Sequence, residues 1–287
     1  MNEPDAKALV AAPTVVCANC GTSGADTYCG HCGQRLDTHI NSVWHFASEA
    51  TEVITHADSR VWNTLRPLLL QPGHLSKEFF AGRRARYLQP FRLYLILSVV
   101  FLLLASWLGE QKRTVHIVSG NTDKIECQNV KTDLPGAQWL RPRMINACQK
   151  LKTEGGGELA QSVVHNLGRA MFVFLPLMAL FMKLLYWRPR RFYLEHLLLL
   201  LHNHAFVFLW MSVYLLAIHW LQSPGWQTLV GFVVFGYFIH YLYRSMKVFY
   251  EQSRFLTFLK FAVLLFVYSI GSMFMLLATT FISAVTL

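Results

Sequence analysis

Four cysteines near the N-terminus have the spacing of a metal site. Cys17, Cys20, Cys29 and Cys32 form two C-x-x-C pairs in the run CANC-x8-CGHC. Each pair can direct two sulfur atoms at one ion, and four thiolates around one ion are typical of a structural zinc ribbon. His31 lies inside the second pair and is not needed as a ligand. Four sulfurs leave no open coordination position, so the pattern predicts structural rather than catalytic Zn²⁺.

Two other interpretations of these cysteines are a redox dithiol and a pair of disulfides. We favour zinc because two matched pairs are typical of a metal site and a cytosolic location disfavours disulfides. The predicted ribbon, residues 17–37, is too short for a sizeable hydrophobic core. Metal binding would therefore supply most of its folding free energy.

A second group of polar residues lies within apolar sequence. Glu195, His196, His202 and His204 occur in one long apolar segment, and His240 occurs in the next. Ionisable groups inside a membrane span are costly and usually face a cavity or a partner. Glu195 and His202 are seven residues apart, which is about 10 Å along a helix and too far for one ion. Hydrogen bonds within the bundle and contacts with headgroups are the favoured interpretation, and a proton or transport path and a metal or catalytic site are the alternatives. A hydrated polar pocket formed by these residues is the hypothesis for any activity.

On the predicted topology, this pocket would lie in the cytoplasmic half of the membrane. Lys183, Asn203 and Arg244 fall at the same depth as the residues named above. We therefore expect the whole group to face inward near the inner leaflet.

A basic stretch, Phe79–Arg92, separates the N-terminal region from the apolar part of the chain. Its sequence FFAGRRARYLQPFR contains Arg83, Arg84, Arg86 and Arg92 and no acidic residue. Basic residues beside an apolar span are retained on the cytoplasmic side, so this basic hinge should set the orientation of the protein. The same arginines could contact anionic lipid, or bind the phosphate of a lipid or isoprenoid carrier.

The composition indicates a membrane protein. Of the 287 residues, 54% are hydrophobic, and the formal net charge is +10. Because a span needs about 20 apolar residues, the apolar segments predict five transmembrane helices at 90–108, 170–187, 196–221, 226–246 and 255–287. The excess of positive charge then belongs to cytoplasmic loops and headgroup contacts, and no nucleic acid partner is expected.

The remaining segments have simpler interpretations. Residues 1–16 form a disordered lead-in without the basic start of a signal peptide. Residues 38–89 contain an amphipathic helix, Ile40–Leu70, which Pro67 should end or bend, and a short helix, Leu75–Ala81, before the hinge. Packing of the longer helix is favoured over a position on the membrane surface. Residues 109–167 form a small extracytoplasmic insertion with a hairpin and a short helix, Arg143–Lys152.

Loop charges predict the topology. The short loops Arg188–Arg191 and Arg244–Arg254 are basic, whereas Gln222–Gly225 is uncharged. The positive-inside rule then places the N-terminus in the cytosol and the C-terminus outside. Cys127 and Cys148 fall in the outer insertion, where oxidation is possible, so a disulfide is favoured over two free thiols.

Three motifs resemble an uncharacterised bacterial membrane family that is known as a domain of unknown function. They are the CxxC…CxxCGQ head, which ends at Gly33-Gln34; the FxxGRRxRYxxPxR hinge from Phe79; and the EHxxxxxHxH run from Glu195. The resemblance implies a cytosolic zinc ribbon on a multi-span inner-membrane protein and implies no activity. The insertion lies outside the family pattern.

The sequence thus predicts an all-α polytopic membrane protein with a small zinc ribbon and an extracytoplasmic insertion. An interaction, regulatory or assembly role is favoured, with membrane lipids and a cytosolic protein as partners. The alternative is a transporter or lipid-handling protein that uses the polar pocket. An enzyme is less favoured, since the sequence contains no Ser-His-Asp set, phosphate-binding glycine loop or nucleotide motif.

Overall fold

The fold is described from a computed structural model. The structure describes residues 15–24, 27–36, 59–111, 142, 145–146, 148–149, 157–188, 191–221 and 223–286. The N-terminal lead-in up to residue 14, the predicted helix between residues 40 and 58, the predicted hairpin of the insertion and Cys127 lie outside these residues. The Cys127–Cys148 disulfide therefore stays a prediction. The described residues 142, 145–146 and 148–149 are helical, as expected for the short helix there.

The N-terminal ribbon is built from two turns and a minimal sheet. Strands β1 (Val15–Val16) and β2 (Ser23–Gly24) pair antiparallel. In each C-x-x-C turn a glycine donates its N–H to the carbonyl of the first cysteine: Gly21 to Cys17 and Gly33 to Cys29, both at 2.8 Å. Both glycines have φ near +70° to +80°, a conformation that a side chain would strain. The glycines therefore close the turns that carry the sulfurs.

Two short helices precede the membrane part. Helix α1 (Ser59–Leu70) contains Pro67, so the helix ends one turn after this proline rather than at it, and a bend there stays a prediction. The helix continues to Leu70, and Gln71 donates its N–H to the Pro67 carbonyl at the last turn. Leu68 is buried while Trp62 is 76% exposed, which agrees with a helix that packs on one side only. Helix α2 spans His74–Phe80.

Within the described residues, five helices are long and apolar enough to cross a membrane, which confirms the predicted fold class. The helices are α3 (Pro90–Gln111), α4 (Gly157–Leu185), α5 (Tyr193–Trp220), α6 (Pro224–Tyr250) and α7 (Arg254–Thr286). Most predicted ends were correct to within a turn. The main difference is α4, which begins at Gly157 inside the predicted insertion because its polar first turns continue the helix beyond the apolar span.

Helix α5 lies at the centre of the bundle. It packs against α3, α4 and α6 and also contacts α1 and α2. Half of its span is buried, compared with 11% for α7, which presents large apolar side chains outward as a lipid-facing helix does. The short helix α2 packs between α5 and α6 and defines the hinge end of the bundle.

Gly73, immediately before α2, touches the backbone of α6. Its φ is +77°, and a Cβ atom at this position would lie 2.7 Å from the carbonyl oxygen of Ser245. A methyl group cannot fit so close to a backbone atom. This glycine therefore allows α2 to pack directly on α6.

Candidate metal centre and polar junctions

The four cysteines of the ribbon come together as a candidate metal centre. Their sulfur atoms all lie within 4.8 Å of one another. The Cys17 and Cys32 sulfurs are 3.6 Å apart, and those of Cys20 and Cys29 are 3.5 Å apart. Four thiolates around one zinc ion at 2.3 Å would be separated by about 3.8 Å, whereas a disulfide bond is about 2.05 Å long. The site therefore fits one tetrahedral ion and contains no disulfide among these four cysteines.

Three of the thiols, those of Cys17, Cys20 and Cys32, differ in their affinity for protons. Burial raises the pKa of the Cys17 thiol to about 11. A hydrogen bond with the Thr22 hydroxyl, 3.4 Å from the sulfur, lowers the pKa of Cys20 to about 5. A hydrogen bond from the Asn19 side chain lowers the pKa of Cys32. Metals bind thiolates, and the lowered pKa values favour the thiolate at Cys20 and Cys32. Metal binding would also displace the proton from buried Cys17.

Gln34 connects the metal centre to the basic hinge. Its buried side-chain amide donates to the Gly82 carbonyl at 2.6 Å, and its oxygen accepts the N–H groups of Arg84 and Ala85, both at 3.2 Å. The Gln34 carbonyl in turn accepts the N–H of Cys29 at 2.8 Å. The turn that carries Cys29 and Cys32 therefore fixes the position of Gln34, and Gln34 in turn holds the hinge loop.

The hinge arginines bind protein groups. Arg83 forms a bidentate pair with Glu78, at 2.6 and 2.5 Å, and this pair lowers the pKa of the Glu78 carboxyl. The Arg84 guanidinium lies 4.7 Å above the Phe79 ring and donates to the Phe79 carbonyl. Glu78 lies one residue before the stretch considered in the sequence, which is why its role was missed.

The two remaining hinge arginines differ from each other. Arg86 donates to the Asn19 carbonyl in the ribbon at 2.9 Å and so adds a second contact between ribbon and hinge. The Nε atom of Arg92 is buried and has no hydrogen-bond partner among the described residues. Anion contacts by the four hinge arginines stay a prediction, and three of the four already have protein partners.

Helix α2 joins the hinge to the bundle through a buried hydrogen bond. The Ser76 hydroxyl and the His202 Nδ1 atom are 2.9 Å apart, and both side chains are buried. At the surface, Lys77 pairs with Glu251 in the loop between α6 and α7, at 2.5 Å. The Tyr237 hydroxyl of α6 also donates to the Leu69 carbonyl of α1. Polar contacts thus continue from the ribbon through α2 to α5 and α6.

Two further histidines of α5, His196 and His204, bond to different helices. His196 Nδ1 lies 2.5 Å from the Tyr250 hydroxyl at the end of α6. His204 Nδ1 lies 2.8 Å from the Leu200 carbonyl, and its Nε2 lies 2.7 Å from the Tyr268 hydroxyl of α7. The carbonyl requires an N–H at Nδ1, and Nε2 shares a second hydrogen bond with the Tyr268 hydroxyl, so both ring nitrogens have a partner.

Hydrogen bonds therefore direct the three α5 histidines to α2, α6 and α7 rather than to one another. Asn203 accepts from Ser245 of α6 at 2.7 Å, and Glu195 pairs with Arg191 at 2.7 Å. His240 is exposed, and no hydrogen bond joins it to the buried histidines within the described residues. The tyrosine and serine partners were not predicted, since hydroxyl groups in helices are common and carry no spacing signal.

The fold and the cysteine cluster together define a class of protein: a polytopic helical membrane protein with an N-terminal four-cysteine site. A family described as "Protein of unknown function (DUF3667)" matches residues 58–102. This range contains α1, α2, the hinge and the first part of α3, but neither the cysteines nor the α5 histidines. No curated protein and no solved structure matches the chain.

Proposed function

We propose that this protein has an interaction or regulatory role in which a zinc-bound ribbon, docked on the basic hinge, binds a cytosolic protein. The observation that carries the proposal is the Gln34 junction. Its three hydrogen bonds make the position of the hinge depend on the metal-bound turn. A ribbon that served only as a tether would not need a buried side chain set into the hinge backbone.

Zinc is the metal that suits this donor set best. Four thiolates in a closed tetrahedron are typical of structural zinc, and they leave no position for water or substrate. The metal would therefore act on conformation rather than on a reaction. A cytosolic location of the hinge end, which the basic loops favour, agrees with free thiolates and zinc.

The ribbon offers a surface on which a protein could dock. Among its described residues, Val15, Val16 and Tyr28 are large apolar side chains that are 45%, 63% and 59% exposed. Exposed apolar side chains are common singly, and these three are the large apolar groups of the described ribbon that a partner could cover. This exposure supports a protein partner for the ribbon.

The polar residues of the bundle support a structural role rather than a transport path. His196, His202, His204 and Asn203 form hydrogen bonds to three neighbouring helices, α2, α6 and α7. Such bonds contribute to helix association in a membrane. The transporter alternative would need these groups to face a shared aqueous path.

The test measures whether metal occupancy protects the hinge. Full-length protein in lipid nanodiscs is digested with trypsin, which cleaves after Arg83, Arg84 and Arg86 in an opened hinge, and zinc is measured by mass spectrometry. Chelation of zinc and the Gln34→Ala change should each speed hinge cleavage about tenfold, because buried hydrogen bonds are lost. Gln34→Ala protein should retain its zinc.

Gln71→Ala is the matched control, since Gln71 is an exposed glutamine close to the hinge. It should cleave at the wild-type rate. Equal hinge cleavage in the zinc-loaded, chelated and Gln34→Ala proteins would show that the ribbon does not act on the hinge. Wild-type protein that binds no zinc would refute the proposal directly.

A further inference from the structure

A cavity of about 460 Å³ opens at the hinge end of α4. Its lining combines apolar, aromatic and cationic side chains: Leu180, Lys183, Leu184, Tyr186, Trp187 and Arg191. The volume is within the range of small-molecule sites in proteins. None of these residues belongs to the ribbon or the basic hinge, so the cavity is a separate feature of the molecule.

Two cationic side chains line this cavity. Lys183 is exposed and forms no ion pair within the described part of the chain. Arg191 is held in place: it pairs with Glu195, donates to the Phe249 carbonyl at 3.3 Å, and lies over the Phe249 ring. A guanidinium has five N–H donors, so these contacts orient Arg191 and leave donors for a ligand.

The charge beside the cavity is positive overall. Lys260 lies nearby, with its Nζ atom 4.0 Å from the centre of the Tyr186 ring. Lys183, Arg191 and Lys260 carry three positive charges, and Glu195 forms an ion pair with Arg191 alone. An anion is therefore the ligand that this charge favours, and guanidinium and ammonium groups together are well suited to phosphate.

The apolar part of the lining indicates an amphiphile rather than a free ion. Leu180 and Leu184 lie one turn apart on α4 and are 49% and 59% exposed. They precede Trp187, an aromatic residue of the kind that is enriched where a helix meets the headgroups. A molecule bound to Lys183 and Arg191 would thus have apolar side chains directly beneath it along the same helix.

Tyr186 forms a rigid wall of the cavity. Its ring stacks on Tyr250 at 3.6 Å, and it is almost fully buried. Burial raises the pKa of its hydroxyl, so the group stays protonated. This hydroxyl has no hydrogen-bond partner among the described residues, and a buried polar atom without a partner is rare in a native structure.

We propose that this cavity binds the phosphodiester of an anionic membrane phospholipid, with Lys183 and Arg191 on the phosphate and Leu180 and Leu184 along an acyl chain. The site differs from the basic hinge, where Arg83, Arg84 and Arg86 already have protein partners. The proposal does not depend on the zinc ribbon or on the proposed interaction role.

The test counts lipid on the full-length protein. Protein purified in detergent is mixed with phosphatidylglycerol or phosphatidylcholine and analysed by native mass spectrometry. Wild-type protein should retain one phosphatidylglycerol in preference to phosphatidylcholine. Lys183→Gln should reduce this retention about tenfold, as expected for loss of one charge-assisted contact. Lys183→Arg should retain it, because the charge and the donors are kept.

Lys247→Gln is the control, since Lys247 is a lysine at the same end of the bundle that does not line the cavity. It should retain the lipid as the wild type does. As a second measurement, brominated phosphatidylglycerol should quench tryptophan fluorescence of the wild-type protein. The part of the quenching that is due to Trp187 should be absent in the Trp187→Phe variant. Unchanged retention by Lys183→Gln would overturn the proposal. So would displacement of the lipid by millimolar inorganic phosphate, which would mark the site as one for the free ion.

Discussion

The ribbon and the membrane bundle of this protein are held together by different means. In the described ribbon, the buried residues are Cys17 and Cys29 of the metal site and the polar residues Asn19 and Gln34. In the bundle, by contrast, a continuous apolar core surrounds α5, with residues such as Leu199 fully buried. The ribbon has almost no apolar core of its own, so its stability must come from its ligands. The bundle depends on side-chain packing and a few interhelical hydrogen bonds.

This difference means that the two regions should fail under different conditions. Removal of metal should unfold the ribbon and leave the bundle intact, whereas loss of buried contacts in α5 should weaken the bundle and leave metal binding intact. The hinge contacts the ribbon through Gln34, and helix α2, which leads into the hinge, contacts the bundle through Ser76. The hinge and α2 together are therefore the segment through which a conformational change in one region could affect the other.

The largest expected effect is the loss of Cys17. The Cys17→Ser change removes one of four ligands at the buried side of the site. Metal binding contributes on the order of 10 kcal/mol to the folding of small zinc domains, so the ribbon should unfold and the zinc content should fall from one ion per chain to well below one. Metal analysis and hydrogen exchange of the ribbon measure this.

If packing alone holds the bundle together, the Cys17→Ser protein should keep its transmembrane helices. Its thermal unfolding in detergent, followed by circular dichroism, should remain close to that of the wild type. Full zinc retention, or collapse of the whole protein, would each contradict a division into a metal-held and a packing-held region.

A smaller effect is expected from the buried contact between α2 and α5. His202→Ala leaves the Ser76 hydroxyl buried without its partner, which should lower the free energy of unfolding of the bundle by about 1–3 kcal/mol. Zinc content should not change. Chemical unfolding in detergent checks the first expectation, and metal analysis checks the second.

His240→Ala is the matched control, because His240 is exposed on α6. Its effect should stay within about 0.5 kcal/mol. A Ser76→Ala and His202→Ala double-mutant cycle isolates the pair. No coupling between the two changes would mean that the hydrogen bond does not hold α2 on the bundle.

The smallest effect is expected at the Glu78–Arg83 pair, which is partly exposed. Arg83 lowers the pKa of Glu78 below its ordinary 4.5. The carboxylate therefore contributes stability above pH 4.5, and this contribution disappears as the pH falls through the lowered value. Hydrogen exchange in the hinge should separate wild type from Glu78→Gln at pH 7, and the difference should shrink towards pH 3. A difference that is independent of pH would exclude the ion pair as its cause.

The sequence was sufficient for the features that depend on local pattern. The four cysteines are specified by their own spacing, and the five spans by uninterrupted apolar composition. Where polar residues continue a helix beyond its apolar part, as from Gly157 in α4, the predicted end was less accurate. The end of α1 also lies one turn beyond Pro67, since a proline near the last turn removes little hydrogen bonding.

Contacts between distant residues could not be predicted in this way. Ser76 and His202 are 126 positions apart, and His204 and Tyr268 are 64 apart. Each partner is an ordinary hydroxyl in an apolar helix, and the helix face that it occupies depends on how the bundle packs. The histidines were therefore recognised as unusual, but their grouping into one pocket could not be checked without the fold.

The close approach of Gly73 to Ser245 has a mechanical consequence. Two backbone segments in van der Waals contact cannot be compressed, whereas a flexible side chain between them would absorb small displacements. A tilt of α6 towards α2 must therefore displace α2 and the hinge that follows it. The Gln34 side chain, which bonds the Gly82 carbonyl, is by contrast a flexible link, so the contact at Gly73 is the stiffer of the two connections between the membrane helices and the cysteine site.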